Sequence, residues 1–209
     1  LSPTTGYDIY LRENCGAGNY SDNACAVQAM TTCSPPPVTI VEDFNTQSLC
    51  QPLCGVTCPI NGTWRNASND NFDWLVNSDT TLTANTGPSG DNPGGGNYIY
   101  LEASGTSCRN GRRAVLVSNC IQVVANPDSC DMSFDYNFFG VHIGGMSLEV
   151  STNGGSTWST LWNGSGNKGR DWHKKFIDLD AYNGMTVQFR FVGRGGNGQF
   201  ADLALDNIA

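Results

Sequence analysis

A chain of 209 residues is long enough to bury a substantial core, either as one large domain or as one domain with an appended fragment. Only 14% of its residues are charged and 25 are glycine, which with many Thr, Ser and Asn suits short strands joined by turns far better than helices; the expected class is all-β. A formal net charge of -8 argues against a sequence-independent nucleic-acid binder and against an anionic membrane surface, and no apolar run approaches the roughly 20 residues needed for membrane insertion.

The chain starts at Leu1, so either a signal was removed or the sequence belongs to a longer protein. Leu1-Ser-Pro-Thr-Thr-Gly-Tyr7 leads into the alternating segment Asp8-Ile-Tyr-Leu-Arg12, and after a polar turn Ala26-Val-Gln-Ala-Met-Thr-Thr32 follows. This predicts a strand, a loop and a strand. Leu1, Pro3, Thr5 and Tyr7 resemble the Leu-x-Pro-x-Thr-x-Tyr approach to the penultimate strand of a fibronectin type III domain. The resemblance implies that residues 1–33 are the C-terminal end of such a domain, with Tyr7 as its corner tyrosine. A hairpin unrelated to that family is the alternative. Because an isolated strand pair is marginal in water, the resemblance also implies a longer multidomain parent. Ser34-Pro-Pro-Pro37 marks a boundary, since consecutive prolines lack N–H donors and favour an extended linker.

From residue 38 to 209 the chain reads as a succession of short strands. Val38 to Phe44 is β-branched and apolar; Tyr98–Ala103, Ala114–Val117, Met132–Phe139 and Met146–Ser151 follow, then Trp158–Trp162, Lys174–Leu179, Thr186–Val192 and Asp202–Ile208. Ser147-Leu-Glu-Val-Ser151 places Leu148 and Val150 on one face and Glu149 on the other, as a half-solvated antiparallel sheet requires. That strand density over one domain fits a jelly-roll β-sandwich.

Nine cysteines in an acidic, glycine-rich chain point to an oxidising, extracellular compartment. Nearness in sequence suggests Cys15 with Cys25 and Cys120 with Cys130, although connectivity is open from sequence alone, and the odd count leaves at least one thiol free or bonded outside the chain. Zinc on Cys50-x3-Cys54-x3-Cys58 is the competing reading, but structural zinc takes close pairs of ligands separated by a longer segment, and His142 and His173 are distant.

Several motifs resemble one family. Glu42-Asp-Phe-Asn45 is similar to an opening Asp-Phe-Glu, with Asn45 in place of Glu; Trp64 and Phe72-Asp-Trp74 follow, then Thr86-Gly-Pro-Ser-Gly-Asp91 and Tyr98 to Ser104 with Glu102. Cys130-Asp-Met-Ser-Phe-Asp-Tyr136 with Gly140, and the closing Asp202-Leu-Ala-Leu-Asp-Asn-Ile208, complete the order. Residues 38–209 thereby resemble a MAM domain. A fibronectin-like ending, a proline linker and a MAM-like domain together resemble bacterial cell-surface proteins exported by type IX secretion, including gliding adhesins and secreted hydrolases. The resemblance implies that the segments of Glu42, Asp43, Asp91 and Asp206 meet and that a structural calcium is held there by Asp43, Asp91 and Asp206, with Glu42 or Glu102 as alternates and carbonyls of the Gly94-Gly-Gly96 loop; solvated turn and cap residues are the alternative reading of these acids.

Trp162, Trp172 and Tyr182 are candidates for a sugar-stacking platform, against the common role of such aromatics in a sandwich core. The hairpin Ser151-x-Asn153-x-Gly155-x-Thr157-Trp158 is similar to an Asp-box, but Asn-Gly turns satisfy hairpin geometry by themselves. Sequons begin at Asn19, Asn61, Asn66 and Asn163 and carry no weight in a bacterial protein. Neither Gly-x-Ser-x-Gly nor His-Glu-x-x-His occurs, so no catalytic residue is assigned. The expected function is a non-catalytic adhesion or recognition module of a large surface adhesin, with surface glycans or proteins and other domains of the same chain as partners. An accessory targeting domain of a secreted peptidase or glycosidase is the alternative.

Overall fold

The computed structural model describes residues 40–124 and 130–209, with the backbone of two strands nearer the N-terminus. Those strands, β1 (Gly6–Ile9) and β2 (Val27–Met30), pair antiparallel with Gly6 opposite Met30 and Ile9 opposite Val27. The first begins at Gly6 rather than Asp8. Cys15, Cys25 and the proline linker lie outside the described residues.

Residues 40 onward form a jelly-roll sandwich of two antiparallel sheets. One sheet carries, in spatial order, β10 (Ser159–Ser165), β9 (Gly145–Ser151), β12 (Thr186–Arg194), β6 (Arg113–Ser118) and β3 (Trp64–Asn66), with β7 (Ile121–Gln122) also paired to β12. The other carries β11 (His173–Asp178), β8 (Asp131–Phe138), β13 (Leu203–Asp206), β5 (Tyr98–Tyr100) and β4 (Leu75–Asn77).

Period-two alternation decides which side chains enter the core. On β9, Met146, Leu148 and Val150 are buried in it, whereas Ser147 and Glu149 are partly exposed on the other face. Across the interface Phe134 of β8 meets Phe191 of β12 edge to face, ring centroids 5.0 Å apart, and Trp64 of β3 lies 5.4 Å from Phe191. Fully burying such rings is the largest apolar contribution the sandwich has available.

Two expectations about strands need correction. Of the expected strand from Val38 to Phe44, the described part makes a single bridge, Glu42 with Ile208, through hydrogen bonds of 2.8 and 2.9 Å. Phe44 is left-handed at φ 55, which ends extended pairing at once. Strands β3, β4 and β7 were not expected from the sequence, because two or three residues are too few to show a period.

The cysteine expectations also change. Cys50 pairs with Cys58 and Cys54 with Cys108, which uses up the thiolates that a zinc ion would need. Cys130 is a buried free thiol, and Cys120 is disulfide-bonded to a different cysteine. The expected Cys120–Cys130 pair fails because the two sit in different layers. Cys120 lies next to β7, while Cys130 leads into β8 and is held by Asp180 Oδ1 on its N–H and Leu179 N–H on its carbonyl.

The outer face of the five-stranded sheet is covered over β4, β5, β13 and the later part of β8, whereas Lys174, Phe176 and Asp178 on edge strand β11 stay exposed. Tyr98, Tyr100, Asn137, Asp135, Ala204 and Asp206 all point away from the sandwich core, yet all are buried. The long connection between β4 and β5 lies over them. Tyr98 Oη donates to the Asp79 carbonyl at 2.5 Å, Trp172 Nε1 donates to the Gly90 carbonyl at 3.0 Å, and the Trp172 ring meets Tyr98 edge to face at 5.7 Å. Thr86 ties the same connection down by donating to the Phe139 carbonyl and accepting from Asp202 N–H, each at 2.9 Å.

Candidate functional site

Beneath that connection lies a second, polar interior. Asp206 ends β13 and is fully buried, and its carboxyl is hydrogen-bonded to that of Asp91 from the covering loop. Burial first, then contact with Asp91, pushes the Asp206 carboxyl up to about 9; N–H groups of Asn207 and Asn92 pull the other way. Asn92 N–H donates to Asp206 Oδ2 at 3.3 Å and Asn207 N–H donates to Oδ1 at 2.8 Å. Around them, Asn92 and Asn207 both donate through Nδ2 to Asp135 Oδ2, at 2.9 and 3.0 Å, and Lys174 Nζ lies 3.0 Å from Asp135 Oδ1.

Asn45 joins this group from the other end of the chain. Its Oδ1 accepts Asn97 N–H at 2.7 Å, and Asp91 Oδ2 accepts Gly96 N–H at 2.9 Å. A Cβ on Gly96 would overlap Asn45 Oδ1 and lie 2.9 Å from Asp91 Oδ2, so the two oxygens converge on one point that only glycine leaves open. Two carboxylates and an amide oxygen, with no thiol or imidazole, are the donor kind a hard cation such as calcium accepts.

Of the four expected ligands the fold therefore joins Asp91 and Asp206. Asp43 Oδ1 accepts Asn45 N–H at 3.1 Å, and Glu42 Oε1 accepts Phe44 N–H at 3.0 Å, so both organise the turn that presents Asn45. Among the described residues no three His, Cys, Asp or Glu side chains converge to hold an ion. Sequence reading missed Asn45 as a donor by treating it only as a lost glutamate. It also missed Asp135, whose partners come from three separate segments.

A second pair of buried acids, Glu102 and Asp202, lies under the same loop. Burial, and next the charge of Glu102, raise Asp202 to about 7. Asp202 Oδ1 accepts Ala103 N–H at 2.9 Å, and Glu102 Oε1 accepts Ser104 N–H at 2.7 Å. Arg109 donates to the Ala103 and Ser104 carbonyls and brings a positive charge to the pair.

The aromatic candidates are dispersed. Trp162 packs on Phe134 and Tyr136, each at 5.2 Å, Trp172 packs on Tyr98, and Tyr182 closes a single 3-10 turn, Asp180–Tyr182. Among the described residues no ring contact joins any two of the three. Asn153 in the Asp-box-like hairpin is a turn organiser: its Oδ1 accepts Thr157 N–H at 2.9 Å and its Nδ2 donates to Thr157 Oγ1 at 2.8 Å. His142 stacks on Phe200, and His173 stacks on Tyr136 with Nε2 at 3.1 Å from the Lys168 carbonyl.

With this geometry in view, residues 43–209 match the profile of the MAM domain, meprin/A5/mu. The chain belongs to the MAM family. It is 32% identical over 207 residues to human MAM domain-containing glycosylphosphatidylinositol anchor protein 1, covering 96% of this chain and 18% of that protein. It is 34% identical over 154 residues to mouse MAM domain-containing glycosylphosphatidylinositol anchor protein 2, covering 67% of this chain and 16% of the relative. Zebrafish Neuropilin-1a is 37% identical over 140 residues, 66% of this chain and 15% of that protein. The MAM chain thus spans under a fifth of the length of these relatives. Among solved structures, the K1 cleaved adhesin domain of Lys-gingipain from Porphyromonas gingivalis W83 shares the fold, at a TM-score of 0.54 and 16% identity over 82% of this chain and 96% of that one. The K3 domain of the same protein gives 0.51 at 12% identity, over 81% and 96%. The disulfides of this MAM domain are those of a protein that folds in an oxidising, extracellular setting.

Proposed function

We propose that this MAM domain is a non-catalytic extracellular adhesion module, one unit of a large multidomain bacterial cell-surface adhesin, stiffened by a structural calcium at Asp91, Asp206 and Asn45 Oδ1. The observation that carries the reading is the buried polar layer. It spends the chain's acids on clamping the loop between β4 and β5 to the sheet, with Asp91 and Asp206 in contact and Asp135 tied to Lys174. Carboxylates so engaged hold a shape rather than move protons for a substrate. Calcium, when bound, would supply the positive charge that lets both acids ionise in contact.

Arrays of surface glycans and surface proteins, probed with the folded domain in calcium and again in chelator, test the recognition role. Binding to a restricted set in calcium is expected, and silence across both arrays would remove the reading. An antiserum against this domain should detect a polypeptide far above 22.4 kDa in the source cells. Detection of a 22.4 kDa product alone would remove the multidomain assignment.

A further inference from the structure

The recognition role leaves open which chemistry is recognised, and the inference below rests on that role. Charge is unevenly divided between the two sheets. Strands of the five-stranded sheet carry Asp131, Asp135, Asp178 and Asp206 against Lys174 and Lys175. Strands of the six-stranded sheet carry Arg65, Arg113, Arg190 and Arg194 against Glu149 alone. Within a chain of net charge -8, one face is therefore basic.

Alternation turns these arginines outward. Trp64, Ala114, Leu116, Phe189 and Phe191 fill the core, so Arg65, Arg113, Arg190 and Arg194 project from the opposite face of their strands. Register sets Arg194 directly opposite Arg113, Arg190 opposite Val117, and Val117 opposite Arg65. Three carboxylates lie near this face and each is engaged, Asp73 by accepting Cys58 N–H through Oδ2 at 2.8 Å. Glu149 Oε2 takes Arg190 Nε at 2.7 Å and Nη2 at 2.5 Å, while Arg190 lies 4.2 Å over the Trp158 ring. Asp70 Oδ2 accepts Val115 N–H at 2.6 Å, and burial raises its pKa, with Arg113 opposing that shift.

Like charges directly opposite each other on neighbouring strands are destabilising. Among the described residues Arg113 Nε is also buried with no hydrogen-bond partner, an expensive state for a guanidinium donor. An oxyanion between the outer guanidinium nitrogens of Arg113 and Arg194 would relieve the like-charge cost, because a planar guanidinium binds sulfate or carboxylate through paired N–H donors. Beside edge strand β3 a cleft of about 450 Å³, with Arg65, Ser68 and Asn71 in its wall together with the engaged carboxylates Asp70 and Asp73, continues the face. That volume is within the range of small-ligand sites and suits sugar rings.

We propose that the outer face of the six-stranded sheet binds an anionic polysaccharide, with sulfate or uronate groups seated on Arg113 and Arg194 and on Arg65 at the cleft. A repeating anion matches basic groups spread along a sheet, and the intervening Val115, Val117 and Val192 add no competing charge, Val115 and Val192 being buried beneath their neighbours.

The test uses immobilised heparin, hyaluronate and neutral dextran with the whole chain. Retention on heparin at roughly 0.1 M salt is expected, weakening steeply as salt rises. Retention on hyaluronate as well would identify carboxylate as sufficient; heparin alone would identify sulfate. Arg194→Ala and Arg65→Ala, both at exposed positions, should each weaken binding about tenfold, the effect of losing one charge-assisted contact. Unchanged melting in both variants separates the loss from misfolding. Wild-type chain passing through both anionic polymers, or variants retained as well as wild type, would overturn the proposal. Should the polymers fail while the surface arrays still bind, recognition stands without this face; should the arrays be silent too, both fail. Self-association in sedimentation that vanishes in the variants, with no polymer binding, would assign the face to a second copy instead.

Discussion

Replacing Asp206 with Asn should stabilise the MAM domain at alkaline pH and leave it nearly unchanged at acidic pH, provided calcium is chelated. In the folded chain the Asp206 carboxyl is raised from its ordinary 3.8 to about 9, by burial and by Asp91. A raised carboxyl means that the folded state holds a proton the unfolded state has lost. Its stabilising contribution is therefore full below the unfolded pKa and drains away as pH climbs towards 9. Each pH unit inside that window costs about 1.4 kcal/mol, so from pH 5 to pH 8 the metal-free wild type should lose about 4 kcal/mol through this one group. At two to four degrees per kcal/mol for a domain of this size, the melting temperature should fall by roughly 10 °C. Asp206→Asn imitates the protonated acid: its Nδ2 can donate to Asp91 and its Oδ1 can still accept Asn207 N–H. The variant should lose only the share that Asp202 contributes, about 3 kcal/mol between pH 5 and pH 7, and should gain nothing from calcium, whereas calcium should restore the Asp206 share in the wild type at pH 8. Scanning calorimetry at pH 5, 6, 7 and 8, in chelator and in millimolar calcium, measures all four curves. Wild-type stability that is flat or rising with pH in chelator would refute the reasoning, as would a calcium shift of equal size in both proteins.

Asp202→Asn should flatten the lower part of the same pH window. Its carboxyl is raised to about 7, so its stabilisation is complete below pH 4 and lost by pH 7, about 4 kcal/mol over that window in urea titrations. Removing the Cys54–Cys108 bridge by a double alanine substitution frees a loop of sequence separation 54 and should cost about 4 kcal/mol, read as a lower urea midpoint. Asn66→Ala should cost about 2 to 4 kcal/mol in the same assay. Asn66 Nδ2 donates to the Cys58 and Trp74 carbonyls at 2.8 and 2.9 Å and its Oδ1 accepts Trp74 N–H at 2.9 Å, so three backbone groups lose partners together. Because both amide hydrogens are used, the Asn66 sequon should carry no glycan in a eukaryotic secretory host, which mass spectrometry of the glycopeptides would show.

Strands long enough to display a period were legible. Expected Met132–Phe139 is observed as Asp131–Phe138, Met146–Ser151 as Gly145–Ser151, and Thr186–Val192 as Thr186–Arg194, because alternation is a property of adjacent residues. Asp91 and Asp206 were legible as partners only through the resemblance to MAM domains; nothing in their own surroundings points from one to the other. Asn45 was legible as a departure from a motif, but its service as an oxygen donor depends on Gly96 being close enough to leave room for it. The dispersal of Trp162, Trp172 and Tyr182 was not legible, since composition counts rings and only packing assigns each to a neighbour.

By itself the sequence determined an all-β, disulfide-bearing MAM domain, with the in-and-out alternation of its longer strands, for turn chemistry and period-two patterning act over a few residues. Tertiary structure alone decided that Cys120 does not meet Cys130, that Cys54 reaches Cys108, and that Asp135 gathers Asn92, Asn207 and Lys174. It alone decided as well that the loop between β4 and β5 would cover most of the outer face of one sheet while Arg65 and Arg194 of the other remained exposed. Such outcomes join segments distant in the chain, where loop closure costs nearly the same for many alternative pairings. Selection among them falls to the packing of the whole sandwich, which no local pattern records.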